Sequence, residues 1–470
     1  NYLQRIMGVY GKFTLGYKGY LYLNVTGRND WTSVLATDNR SFFYPSADVS
    51  FIASQALDIL KNSNVIDYLK IRGGLSKVGE VNLGNTTNFG AYQLQRTFSQ
   101  QSGFPYGSLP GFGLDNTIVA ANIQPEITKQ YEFGFELNML KNRITSSFTW
   151  WHSTTDNQTV TTGVSYTSGG GGYLTNVGST MGQGLEAELH FTAIRTHDLQ
   201  VTVGGNYSYL DNRVNSISAA VDNIALSTYG DGSGIYAVAG QSFPVIMGFD
   251  YVRDSKGRVL VDASTGGPTK DPTLKVLGNT VAKNRVGLDL DVVWKGFQLT
   301  STFEYRGGYK MYFGSGGDFD WAGTGVRTTL FNRGRFVFPN SVYVDKGGDT
   351  VMNTNVTLVD GNGNAGYWTS DDNRAVTSNY VSSGAFWKLR ELSLAYQLPQ
   401  TMLAKTKFIK NITVSLQGRN LFYWLPKTNF YTDPEYNEGG SSSTTNGQGI
   451  TGISSAPPSR YYGGTLSITF

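Results

Sequence analysis

The sequence has no cysteine, only three histidines, and a charged fraction of 16% over its 470 residues. Absence of cysteine excludes disulfide scaffolds, thiolate metal sites and cysteine nucleophiles together. The histidines, His152, His190 and His197, show neither metal-ligand spacing nor a neighbouring nucleophile, and general-base chemistry needs an oriented partner. With no G-x-S-x-G elbow and no Walker motif either, enzyme activity is not expected. The charge shortage, against about 25% in ordinary soluble domains, means a depleted polar surface. Its signs nearly cancel, 38 basic against 35 acidic residues for a net +3, so the footprint that a phosphate backbone requires is missing and nucleic acid is excluded as a partner. Long apolar runs are missing as well. Nothing approaches the roughly 18 residues of a membrane-spanning helix, so a bilayer crossing by this chain has to be a closed barrel.

What is present instead is alternation. Segments of about ten residues repeat an apolar/polar period of two, as expected for strands with one face in oil and one in water. Val286, Leu288, Leu290 and Val292 alternate with Gly287, Asp289 and Asp291, and a turn at Trp294, Lys295 and Gly296 leads into Phe297, Leu299, Phe303 and Tyr305 opposite Gln298, Thr300, Thr302, Glu304 and Arg306. The same pattern occurs at 5–28, 129–153 and 184–210. It predicts thirteen strands near 5–16, 20–28, 44–54, 69–78, 129–139, 143–153, 184–193, 199–210, 283–293, 297–307, 386–398, 411–423 and 460–470.

The predicted connections alternate between short (17–19, 140–142, 194–198, 294–296, with 55–68 and 399–410 as a helical turn or two) and long (79–128, 154–183, 211–282, 308–385, 424–459). Outer-membrane barrels sort their loops this way, with tight periplasmic turns and extended extracellular loops. A soluble sandwich has no reason to, and loops beyond about 15 residues are uncommon in one. The expected fold class is therefore all-β: a transmembrane antiparallel β-barrel in the outer membrane, in contact with its lipid. Thirteen is an odd count, whereas single-chain bacterial barrels are even, and residue 1 is Asn. Residues 1–470 are accordingly expected to be the C-terminal portion of something longer, ending on a strand in which Leu466, Ile468 and Phe470 alternate with Thr465, Ser467 and Thr469.

Several segments, taken in order, carry a family resemblance. They are YKGYLYLNVTGRN at 17–29, followed by Phe43, Tyr44, Pro45 and Ser46; LKIRGGLSKVGEVN at 69–82; IQPEITKQYEFGFELNMLKNRI at 123–144; and LGNTVAKNRVGLDL at 277–290, where Ala282 replaces a usual proline. YWTSDDNR at 367–374, FWKLRELSLAYQLP at 386–399, VSLQGRNLFYW at 414–424, DPE at 433–435 and the final GGTLSITF follow. This series resembles the SusC/RagA-like TonB-dependent transporters of Bacteroidota outer membranes. The resemblance implies a plugged barrel of about 22 strands, with the plug domain, the TonB box and about nine N-terminal strands not in this chain. It also implies a SusD-like surface lipoprotein as lid, periplasmic TonB as energy source, the N-terminal barrel and plug portion as partner, and a glycan or peptide as cargo. Import of an oligosaccharide or oligopeptide nutrient is the expected function. A passive porin and a surface adhesin are the alternatives.

Loop 308–385 supplies the candidate site. Tyr309, Tyr312, Phe313, Phe319 and Trp321 interleave with Asp318 and Asp320, and aromatic faces beside carboxylates suit sugar stacking or peptide binding. Tyr309, Tyr312, Asp318, Asp320 and Trp321 are the expected substrate-binding residues, and the competing reading is that the aromatics simply pack the loop. No catalytic residue and no cofactor is expected. A weak Ca2+ candidate lies in DGNGN, where Asp360, Asn362 and Asn364 are spaced like the start of a calcium loop but the closing bidentate glutamate is missing. An ordinary Asx/Gly turn is the simpler reading.

Overall fold

A computed structural model describes residues 3–83, 90–100, 102–217, 221–229, 231–354, 357–358, 364–404, 408–435, 447–452 and 458–470. The chain divides into two units, 1–195 with 202–224 and 239–241, and 196–201 with 225–238 and 242–470. In the first unit, seven long strands and most of an eighth follow each other in chain order: β1 (Ile6–Tyr17), β2 (Leu21–Thr32), β3 (Ser41–Ile52), β4 (Ile66–Glu80), β5 (Glu126–Met139), β6 (Ile144–Gly163), β7 (Gly172–Arg195) and β8 (Leu199–Ser216). The second unit has a five-stranded meander: β9 (Asn284–Trp294), β10 (Phe297–Gly307), β11 (Phe386–Gln397), β12 (Asn411–Trp424) and β13 (Tyr461–Thr469). These are the thirteen strands that the period-two reading predicts, and the pairs within β1–β7 and within β9–β13 are antiparallel.

Register turns alternation into two faces. Val286 lies opposite Tyr305, Leu288 opposite Phe303 and Val292 opposite Leu299, while Gly287, Asp289 and Asp291 face Glu304, Thr302 and Thr300. Leu392 and Leu394 extend the apolar face onto β11, and Leu416 and Leu466 onto β12 and β13. Because a pleated strand sends successive side chains to opposite faces, a one-residue slip would invert every position. Leu416 is 65% exposed and Leu466 63% exposed. A soluble sheet does not leave such a continuous apolar face to water; a bilayer-facing one does.

Hairpin chemistry holds the register. Lys295 and Gly296 (φ 45° and 89°) occupy the left-handed region between the paired Trp294 and Phe297, as a two-residue turn matched to strand twist requires, and Lys18 and Gly19 (φ 49° and 75°) do so in the three-residue connection between Tyr17 and Leu21. The connection after β3 contains two short helices, Ala53–Ala56 and Asp58–Lys61, and that after β11 contains Gln400–Leu403, where helical turns are expected.

One expected loop is corrected. Residues 154–183 are mostly strand, since β6 runs to Gly163 and β7 starts at Gly172. These extensions are rich in threonine, which favours strand, but they carry no oil-and-water alternation for the period to reveal. Described parts of the other long connections carry folded elements of their own. Strands Asn223–Thr228, Gly234–Val238, Val245–Gly248 and Lys275–Asn279 form one small sheet. Strands Lys310–Phe313, Val381–Ser383 and Ile450–Thr451 form another. Their cores are local clusters, such as Ile235 with Ile246 and Ile450, or Phe336 with Leu358, Tyr367 and Trp368.

Candidate functional site

Two constructions in the second unit bring charged side chains out of water, and they share one loop. The first is an ion cluster on the polar face of β10 and β11. Lys388 lies opposite Glu304 in register, and Arg390 is the extra residue of a bulge. A bulge re-aims one side chain, and Lys388 and Arg390, two positions apart, reach the same carboxylate of Glu435. Lys388 Nζ donates to both oxygens of Asp433 (2.7 and 2.6 Å) and to Glu435. Arg390 forks onto Glu435 through Nη1 and Nη2 (2.6 and 2.5 Å) and donates from Nε to Glu304 (2.5 Å). Arg306 donates to the other oxygen of Glu304 (2.5 Å). The Phe386 ring, fully buried, sits 4.8 to 5.6 Å from all three cations, an arrangement its electron-rich face favours. Burial by itself would push the Glu435 carboxyl up, but the hydrogen bonds and charges of Arg390 and Lys388 outweigh it and hold the group at about 2. Charges this deep persist because they are paired and hydrogen-bonded. The effect is to pin 433–435 to the wall.

The second construction begins two residues upstream of that pin. Tyr431 Oη donates to the Asn379 carbonyl (2.9 Å) and its ring stacks on Phe313 at 4.9 Å. Arg327 Nη1 donates to the Asn379 carbonyl (3.0 Å) and to Tyr431 Oη (3.1 Å), and lies 3.4 Å from Asp320 Oδ2. Its guanidinium carbon lies over the Trp368 ring (5.3 Å) and the Tyr380 ring (5.4 Å). Asp320, at 1% exposure, accepts further bonds on Oδ2 from Asn373 Nδ2 (3.1 Å) and Tyr380 Oη (3.0 Å). Burial works against charge on Arg327, while Tyr431 and Asp320 more than offset it and raise its pKa. Burial and Asp320 also raise Tyr380. Phe319, Asp320, Val326, Arg327, Phe430 and Tyr431 line a cleft of about 320 Å³ here.

The predicted site residues separate. Asp320 lines the cleft and Asp318 is exposed on the same short helix, Gly316–Trp321. Trp321 is 60% exposed and outside the cleft lining. Tyr309 packs with Ala282, Met311 and Phe313, and burial raises its phenol. Tyr312 stands edge-on to Tyr229 at 5.4 Å, and burial pushes it up to about 12. Of the calcium candidate, Asp360 and Asn362 lie outside the described residues. Asn364 is buried and donates to the Leu330 carbonyl, and no group of three metal-ligating side chains occurs among the described residues. Arg327, Phe430 and Tyr431 were not legible as site residues. Tyr431 lies more than 100 positions from Arg327, and the only local hint is the aromatic pair just before DPE.

The first unit's polar face is also paired, with Lys70 on Glu136 (3.0 Å), Arg72 on Glu132, and His190 near Glu188 (3.2 Å). A continuous apolar face backed by a paired polar one describes a barrel wall, and comparison with known proteins identifies which. The model of the TonB dependent receptor-like β-barrel matches residues 1–421. The chain belongs to that family. TonB-dependent receptor P26 of Formosa agariphila is 24% identical over 89% of this chain and 42% of its own length, and TonB-dependent receptor SusC of Bacteroides thetaiotaomicron is 22% identical over 46% and 22%. The RagAB peptide transporter structure superposes with a TM-score of 0.72 at 18% identity, covering 99% of this chain and 48% of that one. The chain thus spans less than half the length of the curated relatives it matches. As a TonB-dependent receptor-like β-barrel, it belongs in the outer membrane.

Proposed function

We propose that this wall and its folded loops form the outer part of a TonB-dependent importer for an oligosaccharide or oligopeptide. In this reading a SusD-like lipoprotein closes over the long loops, and the plug and remaining wall strands come from sequence outside these residues. The carrying observation is the cleft: aromatic side chains and a held ion pair sit in a concavity built by the long connections, at the opposite strand ends from the tight turn at Lys295 and Gly296. Concave sites with apolar walls and a few fixed polar groups are what ligand binding needs. The relatives' names, a SusC receptor and a peptide transporter, support import as the use of such a site. The test is uptake of labelled oligomers by cells carrying the full transporter, with TonB present, deleted, or de-energised by a protonophore. Uptake should disappear in the last two conditions. Equal uptake in all three would mean a passive pore.

A further inference from the structure

Arg327 is held from one side only. All of its hydrogen bonds among the described residues use Nη1, while the Trp368 and Tyr380 rings lie against the guanidinium. Nε and Nη2 make no hydrogen bond among the described residues. The side chain keeps 16% of its surface exposed, and the residue lines the cleft. A guanidinium fork with one edge used and the adjacent Nε–Nη2 edge free presents two parallel donors, the geometry that matches a carboxylate. Independently, the cleft rim is apolar and uncovered: Phe430 is 57%, Val326 54% and Phe319 40% exposed.

Deepening the importer reading, on which it rests, we infer that this cleft is a subsite for a carboxylate carried beside a ring or apolar group, with Arg327 taking the carboxylate and Phe319 and Phe430 the adjoining surface. Asp320 does not compete for the free edge, because the bonds it accepts are on Oδ2 from Asn373, Tyr380 and the engaged Nη1. It keeps the guanidinium charged and aimed. Two cargo sources share this chemistry: the C-terminal carboxylate of a short peptide and the uronate of an acidic oligosaccharide. A neutral glycan would leave the fork unpaired, and a site with an unpaired buried donor discriminates against the ligand lacking its partner.

The experiment is equilibrium binding to the full-length transporter in detergent, read by native mass spectrometry. The probes are trialanine, trialanine amide, a trigalacturonate and its methyl ester. One acid should bind at least about tenfold more tightly than its neutral counterpart, the scale of a charge-assisted hydrogen-bond pair, and which acid does so identifies the source. R327Q should erase that preference. F430A, on an exposed rim where folding is not at stake, should weaken acid and neutral probes alike. R327K separates fork from charge, because an ammonium keeps the charge and loses the two-point geometry; partial retention is expected. Equal binding of acid and neutral forms, an unchanged preference in R327Q that remains heat-modifiable, or no binding of either acid at millimolar concentration each overturns the inference. TonB-dependent uptake that survives R327Q would overturn the subsite and leave import standing, whereas uptake without TonB would remove the importer reading itself.

Discussion

Glu435→Gln should release the loop that carries Phe430 and Tyr431. A carboxyl held from the ordinary 4.5 down to about 2 contributes on the order of 3 kcal/mol to the anchored form, at about 1.4 kcal/mol per pKa unit. Glutamine keeps the shape but leaves Lys388, Arg390 and Arg306 facing only Asp433 and Glu304. Since Lys388 is 1% exposed, the excess positive charge has no water to turn to. The opening equilibrium of 425–435 should rise about a hundredfold, read as faster amide hydrogen exchange over those residues with β10 and β11 unchanged. The same anchor predicts a pH dependence. The folded pKa is depressed, so the stabilisation is complete above about 4.5 and is lost as pH falls from there towards 2. Wild type should approach the E435Q exchange pattern at pH 2 to 3 after correction for intrinsic rates. Exchange at 425–435 in E435Q equal to wild type at pH 7 would refute the idea that the ion cluster holds the loop.

Other consequences test the wall and the network. Leu288→Arg places a charge on the lipid face and should cost about 2–4 kcal/mol near the bilayer midplane, whereas Thr300→Arg on the polar face should be tolerated; equal loss of heat-modifiable folded protein in outer-membrane fractions would contradict the facing. Gly296→Ala forces a side chain into φ 89°, with its Cβ 2.8 Å from the Gln397 carbonyl oxygen, and should lower the folded fraction by about 1–2 kcal/mol in urea titration. Asn373→Ala removes donors to Asp320 and Tyr380 and an acceptor for Asn379. It should destabilise the cleft by about 1–3 kcal/mol, seen as raised exchange in 316–327, and a null result would mean the network is slack.

By itself the sequence determined the wall. Alternation at 283–307 gave both strands, their turn and the facing of every residue, because a strand that meets oil on one face and water on the other must alternate with period two, and that signal is local. It went silent at 154–183, where β6 and β7 continue with no oil to face. The candidate site was legible only as a composition: Asp320 among aromatics in a long loop. Which aromatics pack inward, as Tyr309 and Tyr312 do, and which line a cleft, as Phe319 and Phe430 do, depends on contacts between segments distant in the chain, such as Tyr312 with Tyr229 and Phe319 with Phe430. The tertiary structure alone decided that Arg327 meets Tyr431, and that the bulge at Arg390 gathers Lys388, Asp433 and Glu435. Burying a charge is tolerable only where a partner arrives from elsewhere in the chain, and no local period records that arrival.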